Sequence, residues 1–157
     1  MQRKKVIVTG GAGFIGSTLV RTLLKQDYGV TVVDSLTYAG HLGNIESLIG
    51  ENCQFVRADI GDFKAMSQLF ERERWDGVFN LAAESHVDNS ISGPQAFVDT
   101  NVTGTFQLLE ATRKAWSTWS EADKKNFRFV HISTDEVFGS LGETGKFTEA
   151  TAYAPNS

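Results

Sequence analysis

"TGGAGFIG", residues 9–16, follows the apolar run "KVIVT" (5–9) and stands where a helical pattern begins. Gly11, Gly13 and Gly16 satisfy G-x-G-x-x-G, and Gly10, Gly13 and Gly16 satisfy G-x-x-G-x-x-G. Alone, such a match is weak. It gains weight when strand, turn and helix come in that order and an acid closes the next strand. Asp34 ends "GVTVVD" (29–34), 18 residues past Gly16, so the context is complete. The glycines allow a tight turn and let the backbone approach a pyrophosphate. The first N–H groups of the helix then donate to it, backed by the positive end of the helix dipole. Asp34 can accept from both hydroxyls of an adenine ribose and repels a 2′-phosphate. No arginine stands nearby to receive one, so NAD is expected rather than NADP.

Outward from this turn the pattern repeats. "KVIVT" (5–9), "GVTVVD" (29–34), "CQFVRA" (53–58), "DGVFNLA" (76–82) and "FRFVHIST" (127–134) read as strands. They are nearly continuous in apolar residues, as parallel strands covered on both faces are. Helices are expected at about 14–27, 41–49, 62–74 and 92–118. In the longest, Val98, Val102, Phe106 and Leu109 fall on one face. "SEADKKN" (120–126) reads as a polar connector. Strict alternation predicts an α/β doubly wound parallel sheet (Rossmann) with its five strands in the order 3-2-1-4-5. Ligands of such sheets sit beyond the carboxyl ends of the strands, at the switch between strands 1 and 4. "TGGAGFIG", Asp34, "ADIGD", "LAAESHVD" and "STDEVFG" all fall at those ends and form one site.

The 157 residues suffice for one domain. A hydrophobic share of 41%, a charged share of 22% and a net charge of −4 are those of an ordinary globular protein. The net charge offers no general attraction to nucleic acid or acidic membrane. The basic start "MQRKK" runs into an apolar stretch too brief for a signal peptide, and nothing approaches the length of a membrane span, so a cytoplasmic protein is expected. Cys53 is the lone cysteine; it excludes an internal disulfide and reads as a small core residue. No His/Cys cluster has metal-ligand spacing, and no metal is expected.

Several polar residues admit two readings. Asp135 and Glu136 in "HISTDEVFGS" (131–140) are either a solvated turn or an acid and a base placed together. Neighbouring side chains on a regular strand point to opposite faces. Both reach one substrate only if the strand ends near Thr134, and "EVFGS" with Gly139 permits such a turn. Asp59 can accept from an adenine amino group while Ile60 packs on the ring; alternatively Asp59 or Asp62 caps the next helix. His86 is either substrate-facing or structural. His131 reads as a satisfied core histidine, and His41 as an exposed residue at a helix start. Asn101 reads as local backbone bonding within its helix. Trp116 and Trp119 read as packing or a subunit contact.

Taken together, "TGGAGFIG", "DSLTYAG", "ADI", "LAAESHVDNSI", "NVTGT" and "STDEVFG" resemble the extended short-chain dehydrogenase/reductases, and more narrowly the nucleotide-sugar 4,6-dehydratases. The resemblance covers nearly the whole chain. It implies that Phe14 and Ile15 lie along the cofactor pyrophosphate, that Asp34, Ser35, Leu36 and Thr37 surround the adenosine, and that Asp59 and Ile60 meet the adenine. It also implies that Leu81, Ala82, Ala83, Glu84 and Ser85 pass beneath the nicotinamide half, with Thr100 nearby. Ser85 and Thr134 would touch the sugar, Asp135 would donate a proton and Glu136 would accept one. The implied reaction removes water from a nucleotide-bound glucose, and NAD is recycled within the turnover. A dTDP-glucose substrate is expected and UDP-glucose is the nearest alternative, with a homodimer built through helices such as 92–118. Asn89 departs from the family, standing where many bacterial members have arginine, and this bears on dTDP against UDP. A Tyr-x-x-x-Lys pair is also lacking: Tyr153 is followed by "APNS". Residues 1–157 are therefore expected to be an NAD-binding domain truncated from a longer enzyme, without its C-terminal substrate-binding part and inactive alone. A sugar epimerase needs no Asp-Glu pair. An NAD-sensing module without chemistry is the reading from another class.

Overall fold

In the computed structural model, which describes residues 3–156, five strands form one parallel sheet. Met1 and Gln2 of "MQRKK" and Ser157 of "YAPNS" lie outside the described residues. The strands are β1 (Lys5–Thr9), β2 (Gly29–Asp34), β3 (Cys53–Arg57), β4 (Gly77–Asn80) and β5 (Arg128–His131). Their order is β3-β2-β1-β4-β5, as the alternation predicts. β1 is central, with Val6 opposite Val30 on one side and Gly77 on the other.

Alternate residues of the strands feed two cores. Val6, Val8, Val30 and Val32 pack under α1 (Phe14–Lys25) with Val20 and Leu23. Ile7, Val33 and Val78 pack with Met66, Leu69 and Phe70 of α2 (Phe63–Glu71) and with Leu108 and Ala111 of α5 (Thr105–Ser117). Cys53 is buried in the first core, and burial pushes its thiol pKa up, as a packing residue requires. Asp62 caps α2 by accepting from Ala65 N at 2.9 Å, the capping role expected of Asp59 or Asp62.

The structure corrects four expectations. Residues 41–49 form two 3₁₀ turns, Leu42–Asn44 and Glu46–Leu48, because only Ile45 there is buried, with Leu48 partly so, too little packing to hold a longer helix. "SEADKKN" is a helix, α6 (Glu121–Asn126); Ser120 caps it by accepting from Asp123 N at 3.2 Å. The expected helix 92–118 is broken. α3 (Val87–Ser92) ends at Gly93, Pro94 opens α4 (Pro94–Phe97), and a π-helical segment (Val98–Gly104) leads into α5. The stripe of Val98, Val102, Phe106 and Leu109 faces away from the core and is 43–64% exposed, whereas Gly104, Leu108, Ala111 and Thr112 face inward. Finally, β5 is not covered on both faces. It is an edge strand, and Val130 and Ile132 are exposed on the side of α1.

Trp119 packs edge-on against Phe127 at 5.2 Å, and Trp116 carries Lys124 over its ring, which makes both packing residues. No helix among the described residues is long and apolar enough to cross a membrane.

Candidate functional site

β1 ends at Thr9, and the chain turns through Gly10, whose φ of +65° excludes most side chains. A Cβ on Gly10 would meet the backbone of Leu81 and Ala82 at 2.7–2.8 Å, so the turns after β1 and β4 touch directly. Gly16 brings α1 down onto the turn: a Cβ there would lie 2.1 Å from Gly10 O. The first helical bond runs from Ser17 N to Gly13 O at 3.0 Å, and Gly13 has no side chain to cap the N–H groups of Phe14, Ile15 and Gly16. Phe14 and Ile15 are 89% and 64% exposed at that helix start. Bare apolar side chains beside uncapped donors suit an anion carried on an organic body.

Asp34 is buried at the end of β2 and does more than its motif implies. Its Oδ2 accepts from Ala12 N at 2.9 Å and its Oδ1 from Leu36 N at 2.8 Å. The carboxylate thus ties the glycine turn to the loop after β2, and each oxygen keeps a second lone pair for a ligand hydroxyl. Leu36 holds a φ of +55°, steadied by that bond and by packing of its side chain in the α1 core. Ser35 is half-buried and Thr37 exposed.

After β3, Asp59 is exposed and accepts from Gly61 N at 2.7 Å. Ile60 corrects the expectation placed on it. It is 3% exposed and packs in the α2/α5 core, where a Cβ on Gly104 would come within 3.1 Å of it. Its side chain is a core residue and is not free to lie on an adenine ring.

After β4, Leu81 and Ala82 are half-buried, Ala83 and Ser85 exposed, and Glu84 is held by a residue expected to bond only within its own helix. Asn101 Oδ1 accepts from Glu84 N at 2.8 Å, and its Nδ2 donates to Glu84 O at 2.8 Å. Asn101 is no local helix residue. It sits with Thr100 in the π-helical segment and clamps a loop 17 positions earlier. The signal was "NVTGT", an asparagine three positions before a glycine in an apolar helix. A π segment widens the turn and often marks such sites.

A polar line crosses the sheet just below. Thr9 Oγ1 donates to Asn80 Oδ1, and Asn80 Nδ2 donates to His131 Nδ1 at 3.0 Å. The neutral His131 therefore carries its proton on Nε2. His131 is satisfied but exposed at the sheet edge rather than part of the core. His86 begins α3, exposed, with the Tyr38 ring set edge-on to it. His41 is exposed at the start of a 3₁₀ turn.

β5 stops at His131, three residues before Thr134. Thr134 then caps a 3₁₀ turn (Asp135–Phe138), its Oγ1 accepting from Glu136 N at 3.2 Å. Asp135 and Glu136 thus occupy one short turn at the carboxyl edge, both exposed, which meets the geometric condition for serving one ligand. The chain bends at Gly139, and Ala154 N donates to Val137 O at 3.0 Å. Tyr153 stacks on Phe138 at 5.5 Å. Among the described residues no His, Cys, Asp and Glu cluster could hold a metal.

Residues 7–157 match the model of the family described as GDP-mannose 4,6 dehydratase. The chain is 53% identical over 152 residues to dTDP-glucose 4,6-dehydratase of Xanthomonas campestris pv. campestris (strain B100), covering 96% of this chain and 43% of that protein. Among solved structures it superposes on dTDP-glucose 4,6-dehydratase of Streptomyces venezuelae with NAD and TYD bound (TM-score 0.83, 42% identity, 97% of this chain and 46% of that one). It also superposes on the UDP-Glc/GlcNAc 4-epimerase of Campylobacter jejuni (TM-score 0.82, 30% identity, 98% and 44%). The chain spans less than half the length of each.

Proposed function

Because this chain belongs to the GDP-mannose 4,6 dehydratase family, we propose that the whole protein is a nucleotide-sugar 4,6-dehydratase. It converts dTDP-glucose to the 4-keto-6-deoxy sugar and water with a bound NAD. The observation that carries this reading is the pairing of Asp135 and Glu136 on one turn at the same sheet edge as the glycine turn. An epimerase has no use for such a pair. The names of the relatives support dTDP-glucose over UDP-glucose.

The residues present fit NAD. The backbone around Gly16 leaves no room for a side chain, and the N–H groups of Phe14, Ile15 and Gly16 are uncapped. Gly10, Gly13, Phe14, Ile15 and Gly16 would hold the pyrophosphate. Asp34, Ser35, Leu36, Thr37 and Asp59 would hold the adenosine, together with the backbone of Ile60. Leu81 to Ser85 and Thr100 would hold the nicotinamide half. When bound, NAD supplies the reversible two-electron chemistry that makes C4 a ketone and later reduces C6.

The protein residues do the rest. A C4 ketone acidifies the C5 proton, and Glu136 as carboxylate removes it. Asp135 as carboxylic acid protonates the C6 hydroxyl, which leaves as water. Thr134, whose Oγ1 steadies the turn, and Ser85 orient the sugar. In the whole protein Glu136→Gln should slow exchange of the C5 hydrogen, and Asp135→Asn should slow water loss, each on the order of 100- to 10,000-fold. Wild-type C5 exchange in Glu136→Gln would remove the base assignment. Turnover of UDP-glucose in preference to dTDP-glucose would overturn the substrate. We place the protein in the cytoplasm as a homodimer joined through the exposed stripe of Val98, Val102, Phe106 and Leu109.

A further inference from the structure

The loop between β2 and the first 3₁₀ turn crosses over the glycine turn instead of leaving the site. His41 N donates to Ala12 O at 3.1 Å, and Asn44 Nδ2 donates to the same oxygen at 2.8 Å. A Cβ on Gly13 would lie 3.9 Å from Ala39 O. At its other end the loop is held by Leu36 N on Asp34 Oδ1. The crossing carries Tyr38 to the loop after β4, where its ring stands edge-on to His86 with centroids 6.4 Å apart and planes at 81°. Its hydroxyl stands near Glu84, Ser85 and His86. Burial, then Glu84, raise its pKa, while the backbone of His86 and Ser85 opposes the rise. The backbone of Glu84 is fixed, because Asn101 holds its N–H and its C=O.

We propose that Tyr38 is a positioning residue: it fastens the loop 35–41 across the glycine turn to the segment 84–86 and so keeps the dinucleotide from leaving between the two half-reactions. This rests on the NAD reading above. The reaction oxidises C4 and then reduces C6 with the same cofactor, so a molecule lost midway strands the sugar as an intermediate. A clasp made by one ring and one hydroxyl slows departure without adding contacts to the reacting atoms.

The test is the release rate of NAD from the whole protein, followed by chase with labelled NAD. Tyr38→Ala should speed release about tenfold or more. Tyr38→Phe keeps the ring on His86 and loses the hydroxyl near Glu84, so it should fall between. His86→Ala attacks the same contact from the other side and should also speed release. Association should change little, since such changes act mainly on dissociation. Tyr38 is half exposed, so the melting midpoint of the cofactor-free protein should stay near wild type; a matching fall in that midpoint would make the residue merely structural and overturn the clasp. Wild-type release rates in Tyr38→Ala and His86→Ala would overturn it as well. A wild-type protein that takes up no NAD would instead remove the reading beneath it.

Discussion

Gly16 and Asp34 show how little freedom single positions have here. At Gly16 the nearest obstacle is backbone, Gly10 O, and backbone cannot swing aside as a long side chain does. Gly16→Ala must lift α1 off the turn. It should cost about 1–3 kcal/mol of stability, the range for overpacking, and weaken NAD at least as much; denaturation and cofactor titration measure the two. At Asp34 the carboxylate already serves Ala12 N and Leu36 N. Asp34→Asn turns an amide NH₂ toward one of these donors, leaving an N–H without an acceptor at a cost of about 1–3 kcal/mol. It also removes the charge that repels a 2′-phosphate, so the ratio of NAD to NADP affinity should collapse toward one. Equal affinities in the unsubstituted protein would show that Asp34 does not select the cofactor.

At the scale of elements, the strands were legible because both faces of β1 and β2 meet helices, which makes their runs continuously apolar. The sheet order followed from alternation alone. The long helix was read less well. Periodicity finds an apolar stripe but cannot say which stripe meets the sheet. In α5 the inner face is built of Ala111 and Thr112 with Leu108, small enough for α2 to approach, and the bulky residues face out. The π segment was invisible too, and so was the bond from its Asn101 to Glu84, which joins positions 17 apart. Asn101→Leu is nearly isosteric and leaves Glu84 N and O without partners. It should loosen the loop 81–85 and weaken NAD by about 1–3 kcal/mol. Hydrogen exchange at Glu84 would rise if the clamp is real and stay unchanged if it is not. For the site, the residue types were legible at the strand ends. The doubled duty of Asp34 and the burial of Ile60 needed the third dimension.

Among the described residues the stripe of Val98, Val102, Phe106 and Leu109 is bare, and placing a charge in it tests the proposed dimer. Phe106→Glu should halve the mass seen by sedimentation while leaving the sheet intact; a wild-type monomer would remove the proposal. The 157 residues by themselves hold no Tyr-x-x-x-Lys pair to accept the C4 hydroxyl proton. They should bind NAD weakly and turn over no dTDP-glucose, which a coupled assay on the isolated chain decides. The placement of β1 at the centre of the sheet has a further consequence during synthesis. β1 leaves the ribosome before the strands that flank it, and Val6 must wait for Gly77 before its second edge is paired. At roughly 5–20 residues per second that interval is about 4–14 s. Of the three strands paired on both sides, the central one is thus the one whose second edge stays longest available to neighbouring nascent chains, so yield in a crowded cell depends on how quickly the ribosome reaches β4.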